Sequence, residues 1–367
     1  MSDPTQVDAC LDCLRRTWLL GRLAGHLDLR RGRIWETLAL GDADLIGAVG
    51  GSQKQEIHSE WARFGPGQAD TALATARTCG LDLICRCSAA YPDPLRQLDA
   101  PPAVLHIAGG GERFVELAQR QPVAIVGSRR ASSYARGVTR QLARGATAAG
   151  LTVVSGMAQG IDAEAHGGAL EGGGATVAFL PGPAERAVPA GLAGLRRQIV
   201  ERGAAVSEIP PRTGVRSWMY LARNRLIAAL AELTVVVEAG VGSGALLTAR
   251  AAVELGRPVG VVPGQVTNPR AAGSNELLRG PARLIRDIQD ALDEIYGLGA
   301  VVAPADTRPA PTAAQATLLS AIAQGLDTVG ALTGAGVGGD GCLAEIAGLE
   351  LCGRVRRGPG GRLTVIG

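Results

Sequence analysis

The sequence predicts an α/β protein built around a Rossmann-like, doubly wound, mostly parallel sheet. Three observations lead there. From residue 121 onward, apolar runs of strand length alternate with stretches of helical length. Such runs read as strands buried on both faces, and the alternation is that of successive β-α units. The turns between them are rich in Gly, which supplies 52 of the 367 residues. The chain is 46% hydrophobic and 19% charged, an ordinary globular composition at a length that allows two or three cores.

In chain order, residues 8–88 read as short helices. Leu11, Leu14, Trp18 and Leu19 recur at helical spacing, Ile34, Leu38 and Leu45 less regularly, with breaks at 41–51 and at Gly65-Pro66-Gly67. Tyr91-Pro92-Asp93-Pro94 and Pro101-Pro102 are extended, because each Pro keeps its predecessor out of the helical region. A short strand follows at 104–107. The central domain has strands expected at 123–126, 151–154, 175–180, 204–206, 233–237 and 259–262. Helices are expected over 132–149, 159–170, 190–202 and 218–231, with another containing Thr248–Leu255. Residues 301–311, rich in Pro and Ala, read as a linker. Beyond it come three short helices (313–323, 326–334, 342–351), a basic turn at Arg354–Arg357 and a hairpin ending at 363–366, the outline of a winged helix. The domain reading is therefore 1–88 helical, 89–297 Rossmann-like, 298–311 linker and 312–367 winged helix.

Charge and cysteine usage bound the function. The net charge is +3, and Lys54 is the only lysine. So Arg-rich a chain reflects codon bias as much as function, and a local basic patch matters more than the total. Met1–Asp8 lacks a basic segment followed by an apolar run, and no apolar stretch reaches the roughly 18 residues of a membrane span. The expectation is a cytoplasmic protein. Seven scattered Cys do not form a disulfide framework. Cys10-Leu-Asp-Cys13 has zinc-ligand spacing, but Cys85-Arg-Cys87 is one residue too tight for a matching pair, so no metal site is expected. GxGxxG and a Walker lysine are both missing, so no nucleotide cofactor and no ATP hydrolysis are expected.

Ligands of open parallel sheets bind beyond the carboxyl ends of the strands, near helix N-termini. Four segments stand there. Gly127-Ser128-Arg129-Arg130, with Ser132 or Ser133 as helix cap, reads equally as a phosphate cradle and as a tight turn with solvated arginines. Ser155-Gly156-Met157-Ala158-Gln159-Gly160-Ile161-Asp162 leads to His166, a packed helix histidine rather than a base, since no nucleophile is nearby. Glu238-Ala239-Gly240-Val241-Gly242-Ser243-Gly244 reads as a second anion cradle or as close helix–sheet packing. Finally, Arg212, Arg216, Trp218, Tyr220, Arg223, Asn224 and Arg225 interleave cations and aromatics in a chain with only 3% aromatics. Single-stranded nucleic acid needs that combination, a cationic track with π-faces for bases. A helix start with core aromatics is the alternative. Arg136, Arg140 and Arg144 share one helix face, either a solvated stripe or an extension of such a track.

These residues resemble the DNA-processing protein A (DprA/Smf) family. The resemblance rests on Val-Gly-Ser-Arg at 126–129, Ser-Gly-Met-Ala-x-Gly-Ile-Asp-x-x-Ala-His at 155–166 and Ser-Glu-x-Pro at 207–210. It continues with Arg-Asn-Arg-Leu-Ile from 223, Val-Glu-Ala from 237, Ser-Gly-Ala-Leu-x-Thr-Ala from 243, Gly-Arg-Pro-Val from 256 and Pro-Gly at 263–264. Tyr91-Pro92-x-x-Leu95 and the C-terminal Gly348–Val355 segment fit as well, and the helical N-terminus loosely resembles the family's sterile-alpha-motif-like domain. The resemblance implies a non-enzymatic protein that binds and protects single-stranded DNA, loads the RecA recombinase in natural transformation and recombination, and dimerises through its Rossmann-like domain. It implies DNA contacts at Arg129 and along Arg216–Arg223, with Tyr220 in place of the family's Phe; with the loops read above, the candidate DNA-binding residues are Gly127, Ser128, Arg129, Ser155, Gly156, Gly160, Arg216, Trp218, Tyr220, Arg223, Asn224, Arg225, Ser243 and Gly244. Two departures stand out. The family's Tyr-Pro-Lys-x-Asn-like stretch is Val188-Pro189-Ala190-Gly191-Leu192 here, leaving Arg186 as the nearby cation, and its Phe-Pro step is Tyr220-Leu221. The rival reading is a nucleotide-processing enzyme similar to phosphoribohydrolases, with Glu238 as its carboxylate. Against it, their Pro-Gly-Gly-x-Gly-Thr is replaced by Ala239-Gly-Val-Gly-Ser-Gly.

Overall fold

The computed structural model describes residues 9–303 and 309–365; the expected start at Met1–Asp8 and part of the expected linker lie outside them. Nine strands form the main sheet: β1 Asp82–Cys85, β2 Val104–Ala108, β3 Val123–Gly127, β4 Val153–Ser155, β5 Thr176–Phe179, β6 Ala204–Ser207, β7 Leu233–Val237, β8 Val259–Val262 and β9 Arg283–Leu284. Their order across the sheet is β1-β2-β6-β5-β4-β3-β7-β8-β9. All pairs from β6 to β9 are parallel, while β1 and β2 join antiparallel at one edge. The chain winds from β3 through β4 and β5 to β6, then returns to place β7 on the other side of β3. That reversal puts the topological switch point between β3 and β7, where their registers run side by side from Val123↔Leu233 to Gly127↔Val237.

The central strands and helices lie within about two residues of their expected positions. One boundary differs. Residues 82–85, read as part of the helical segment 8–88, form β1 and belong to the sheet. A run as short as Leu83-Ile84-Cys85 has no periodicity that separates strand from helix. Strand β9, two residues long, was unread for the same reason.

Among the described residues, six α-helices precede β1, from Leu11–Arg22 to Pro66–Thr78. Leu19, Leu23, Leu27, Ile34, Leu45 and Ile57 close a core that also takes in Trp218 and Met219 of the Ser217–Leu230 helix. The Trp218 indole donates to Ala24 O at 2.8 Å, its backbone N–H donates to Asp28 at 3.1 Å, and Trp35 donates to Leu221 O at 2.9 Å. The N-terminal layer is thus fastened to one helix of the sheet domain. Beyond the sheet, helices Ala313–Ala323, Val329–Gly334 and Cys342–Leu351 and the hairpin Val355–Arg357/Leu363–Val365 share a small core of their own.

Two groups of charged side chains are structural. Arg225 forms a fork with Glu208, two contacts of 2.7 Å, and also donates to Ala100 O and Ala222 O; both partners are buried. Arg136, Arg140 and Arg144 form an ion-paired stripe, exposed at Arg136 and half-buried at Arg140 and Arg144. Glu164 and Glu171 of the Ile161–Glu171 helix face them, with Arg136–Glu164 at 3.3 Å, Arg140–Glu164 at 2.6 Å and Arg140 also on Glu171. His106 and His166 are buried in the sheet domain, and burial pushes their pKa down to about 4 and about 3 respectively. His166 faces the Thr176 hydroxyl at 2.8 Å, as a packed histidine would.

Two expectations follow. Arg225→Met leaves the Glu208 carboxylate buried without its partner and lowers stability by about 3–5 kcal/mol, and adding Glu208→Leu restores much of the loss; urea unfolding of the three proteins measures both. The second concerns acid. Both histidines have folded pKa values below the unfolded value of about 6.5, so the unfolded chain binds the extra protons. Their contribution is intact above about pH 6.5 and is lost as pH falls toward the folded values, on the order of 1–2 kcal/mol per group by about pH 5. Denaturation midpoints at pH 7 and pH 5, repeated on His106→Gln, give the size of that loss.

Candidate functional site

A cleft of about 850 Å³ opens at the switch point, walled by the loops that follow β3 and β7 and by the Ser217–Leu230 helix. On one side lies Gly127-Ser128-Arg129-Arg130. On the other is Gly240–Gly244, whose Ser243 caps the Gly244–Glu254 helix by accepting from Ala245 N at 3.4 Å. Tyr220, Leu221, Arg223 and Asn224 form a third wall, and Pro269 and Arg270, on the loop after β8, form a fourth.

The β3 loop is held in place from below. Ser128 N–H donates to Glu238 O at 2.8 Å, and Ile161 N–H donates to Ser128 O at 3.1 Å. Gly160 has φ +82°, and a Cβ there would strike the Ser128 and Arg129 backbone, so only glycine fits. Ser132, rather than Ser133, caps the next helix by accepting from Ala135 N at 3.2 Å. The Glu238 carboxylate accepts from Ser132 N at 2.9 Å, from the Ser132 hydroxyl and from Asn268 at 3.4 Å. Its charge is spent on orienting that loop, and it is not among the cleft-lining residues.

Arg223 forms the cleft floor. Its guanidinium lies over Gly156, where any Cβ would collide with it. Asp162, buried, is 3.9 Å from Arg223 Nη1 and is oriented by the N–H groups of Gly156 (3.1 Å) and Ala158 (3.3 Å). Burial disfavours both charges: it raises the Asp162 pKa against the pull of Arg223, and lowers that of Arg223, assisted by the positive Arg129 nearby. Arg223 Nε and Nη1 have no hydrogen-bond partner among the described residues. Buried guanidinium donors left open are costly. Above the floor, the exposed Arg129 guanidinium stacks 5.3 Å from the Tyr220 ring centroid, a cation–π pair at the cleft wall. Arg129, Arg130 and Arg270 make no ion pair among the described residues, so four arginines face one buried carboxylate.

Of the candidate residues read from the sequence, Gly127, Ser128, Arg129, Tyr220, Arg223, Asn224, Ser243 and Gly244 line this cleft. Asn224 also ties two walls together by donating to Gly244 O at 3.3 Å. The others do not line it. The Trp218 ring is fully buried against the N-terminal layer and has no free face for a base. Arg225 is held by Glu208, and Ser155 is buried with its hydroxyl on Ile125 O at 2.6 Å. Gly156 and Gly160 shape the floor from behind. Arg216 is exposed at the helix start, on the side of Gly25. Arg186, the cation near the altered 188–192 stretch, lies away from the cleft on Thr213 O. Sequence reading missed Arg270. Its signal was positional: a cation on the loop beyond the carboxyl end of β8, after Pro263-Gly264.

The sequence pattern of the DNA recombination-mediator protein A family matches residues 82–296. A Mycobacterium tuberculosis protein bearing the name DNA processing protein DprA is 36% identical over 303 residues, which is 83% of this chain and 71% of that protein. The crystal structure of DNA processing protein A from Streptococcus pneumoniae superposes with a TM-score of 0.62 at 26% identity, covering 77% of this chain and 96% of that one. A structure describing the single-stranded DNA binding mode of DNA processing protein A from Helicobacter pylori matches at a TM-score of 0.51 and 30% identity, over 55% of this chain and 91% of that one. With its switch-point cleft, its ordered set of glycine loops and these matches, the chain belongs to the DNA recombination-mediator protein A family, DprA/Smf.

Proposed function

We propose that the switch-point cleft binds the sugar-phosphate backbone of single-stranded DNA. The observation that carries this reading is the buried Arg223 guanidinium, with open donors at the cleft floor beneath the Arg129–Tyr220 stack. Arg223, Arg129, Arg130 and Arg270 supply cations for phosphates, and Tyr220 supplies a ring edge and face for a base. The single-stranded DNA described for the Helicobacter pylori relative supports the same ligand class here.

The wider role follows from membership of the family: the protein shields incoming single strands and delivers them to RecA recombinase in transformation and recombination. In this reading it acts in the cytoplasm as a homodimer joined through the Rossmann-like domain. The N-terminal helices are its sterile-alpha-motif-like module and the three C-terminal helices with their hairpin its winged helix. It acts as a binding protein rather than an enzyme. The carboxylate a phosphoribohydrolase would need, Glu238, is turned onto Ser132 and Asn268. Release of free base from nucleoside monophosphates by the purified protein would contradict this.

Fluorescence anisotropy with a labelled oligothymidylate tests the site. Arg129→Ala weakens binding about tenfold or more at low salt and makes the slope of log K against log salt shallower by about 0.7, one phosphate contact. Tyr220→Ala costs about 1–3 kcal/mol of affinity, whereas Tyr220→Phe keeps most of it. Affinity and salt slope unchanged in both Arg129→Ala and Arg270→Ala would place the strand elsewhere.

A further inference from the structure

The first helix, Leu11–Arg22, meets the end of β1 at four cysteines. The Sγ atoms of Cys10, Cys13, Cys85 and Cys87 all lie within 4.8 Å of one another. Cys13 and Cys87, 74 residues apart in sequence, have their sulfurs 3.7 Å apart. We propose that these four thiolates hold one tetrahedral zinc ion that fastens the N-terminal helical layer to the edge of the sheet.

The distances favour a single metal ion over a disulfide. Sulfurs bonded to each other sit about 2.05 Å apart, and none of the seven cysteines is in a disulfide. Four thiolates at about 2.3 Å from a central zinc sit about 3.8 Å from each other, the edge of the tetrahedron. The Cys13–Cys87 separation already equals that edge, and the widest pairs need to close by no more than about 1 Å. The all-sulfur donor set is soft and without an oxygen or imidazole, which suits zinc.

The local backbone supplies the two arms. Cys10 is the N-cap of the first helix and Cys13 lies in its first turn, where free N–H groups and the helix dipole favour thiolates. Cys85 ends β1, and a turn closed by Ser88 N to Cys85 O at 2.8 Å follows at once. That turn is how a spacing of one residue, too tight by sequence reasoning, brings Cys87 into the same group. Cys13 and Cys85 are buried, while Cys10 and Cys87 are exposed, which leaves an entry path for the ion. Cys79, Cys342 and Cys352 stay outside the group. The site is remote from the cleft in residue make-up, sharing none of its lining, so it is structural rather than part of strand binding.

The full-length protein, purified without chelator, is expected to carry about one zinc per chain by elemental analysis. Replacement with Co²⁺ gives the intense thiolate-to-metal charge-transfer and tetrahedral ligand-field bands of an all-sulfur site. Cys10→Ser and Cys87→Ser, both at exposed positions that leave the core intact, each lose most of the metal. Cys79→Ser keeps it and controls for nonspecific thiol binding. Circular dichroism verifies that each variant is folded. The proposal is overturned if the reduced protein contains no zinc and shows no cobalt–thiolate bands. It is equally overturned if iron occupies the site, or if the folded Cys10→Ser/Cys87→Ser double variant holds as much zinc as the parent.

Discussion

The buried fork between Arg225 and Glu208 is the constraint on which the rest of the molecule turns. Glu208 stands just beyond the end of β6, and Arg225 sits midway along the helix that crosses from β6 to β7. A guanidinium and a carboxylate taken out of water tolerate only one geometry, so the pair fixes both the depth and the rotation of that helix. Each face of the helix then has a separate duty. Trp218, Met219 and Ala222 close the N-terminal core, Leu226, Ile227 and Leu230 enter the sheet core, and Tyr220, Arg223 and Asn224 face the cleft. A slip of one residue would misplace all three sets together.

The cleft shows how a near-neutral protein concentrates positive charge. Several of its arginines are held by carboxylates elsewhere: Arg136 and Arg140 by Glu164 and Glu171, Arg225 by Glu208, and Arg16 by Asp42. Arg129, Arg130 and Arg270, with no ion pair among the described residues, join Arg223 where β3 and β7 diverge. Arg223 is the costliest of these, since burial works against its charge and Asp162 at 3.9 Å only partly offsets it. Its place exists because Gly156 has no side chain, which ties a glycine on one loop to a cation on a distant helix.

The sheet domain was legible because buried parallel strands leave continuous apolar runs, and β3 through β8 are such runs. β1 and β9 were not, being too short for a period to register. Within the site, loop positions were legible and side-chain directions were not. Tyr220 and Trp218 are two residues apart on one helix, and sequence treats them as equal stacking faces, yet about 200° of helical rotation separates them, leaving one at the cleft wall and the other in the core. Arg223 and Arg225 differ in the same way. The cysteines escaped for a related reason: ligand spacing judged along the chain says nothing of a turn that folds Cys87 back beside Cys85, nor of a helix start brought up against it.

The anchoring of Trp218 and Leu221 to the N-terminal helices has a consequence for the cleft. Ala24, Asp28 and Trp35 hold the start of the helix that carries Tyr220 and Arg223, although no described residue before Val126 lines the cleft. One helix is therefore shared between the cleft wall and the N-terminal core, so the N-terminal layer helps to set where Tyr220 and Arg223 stand.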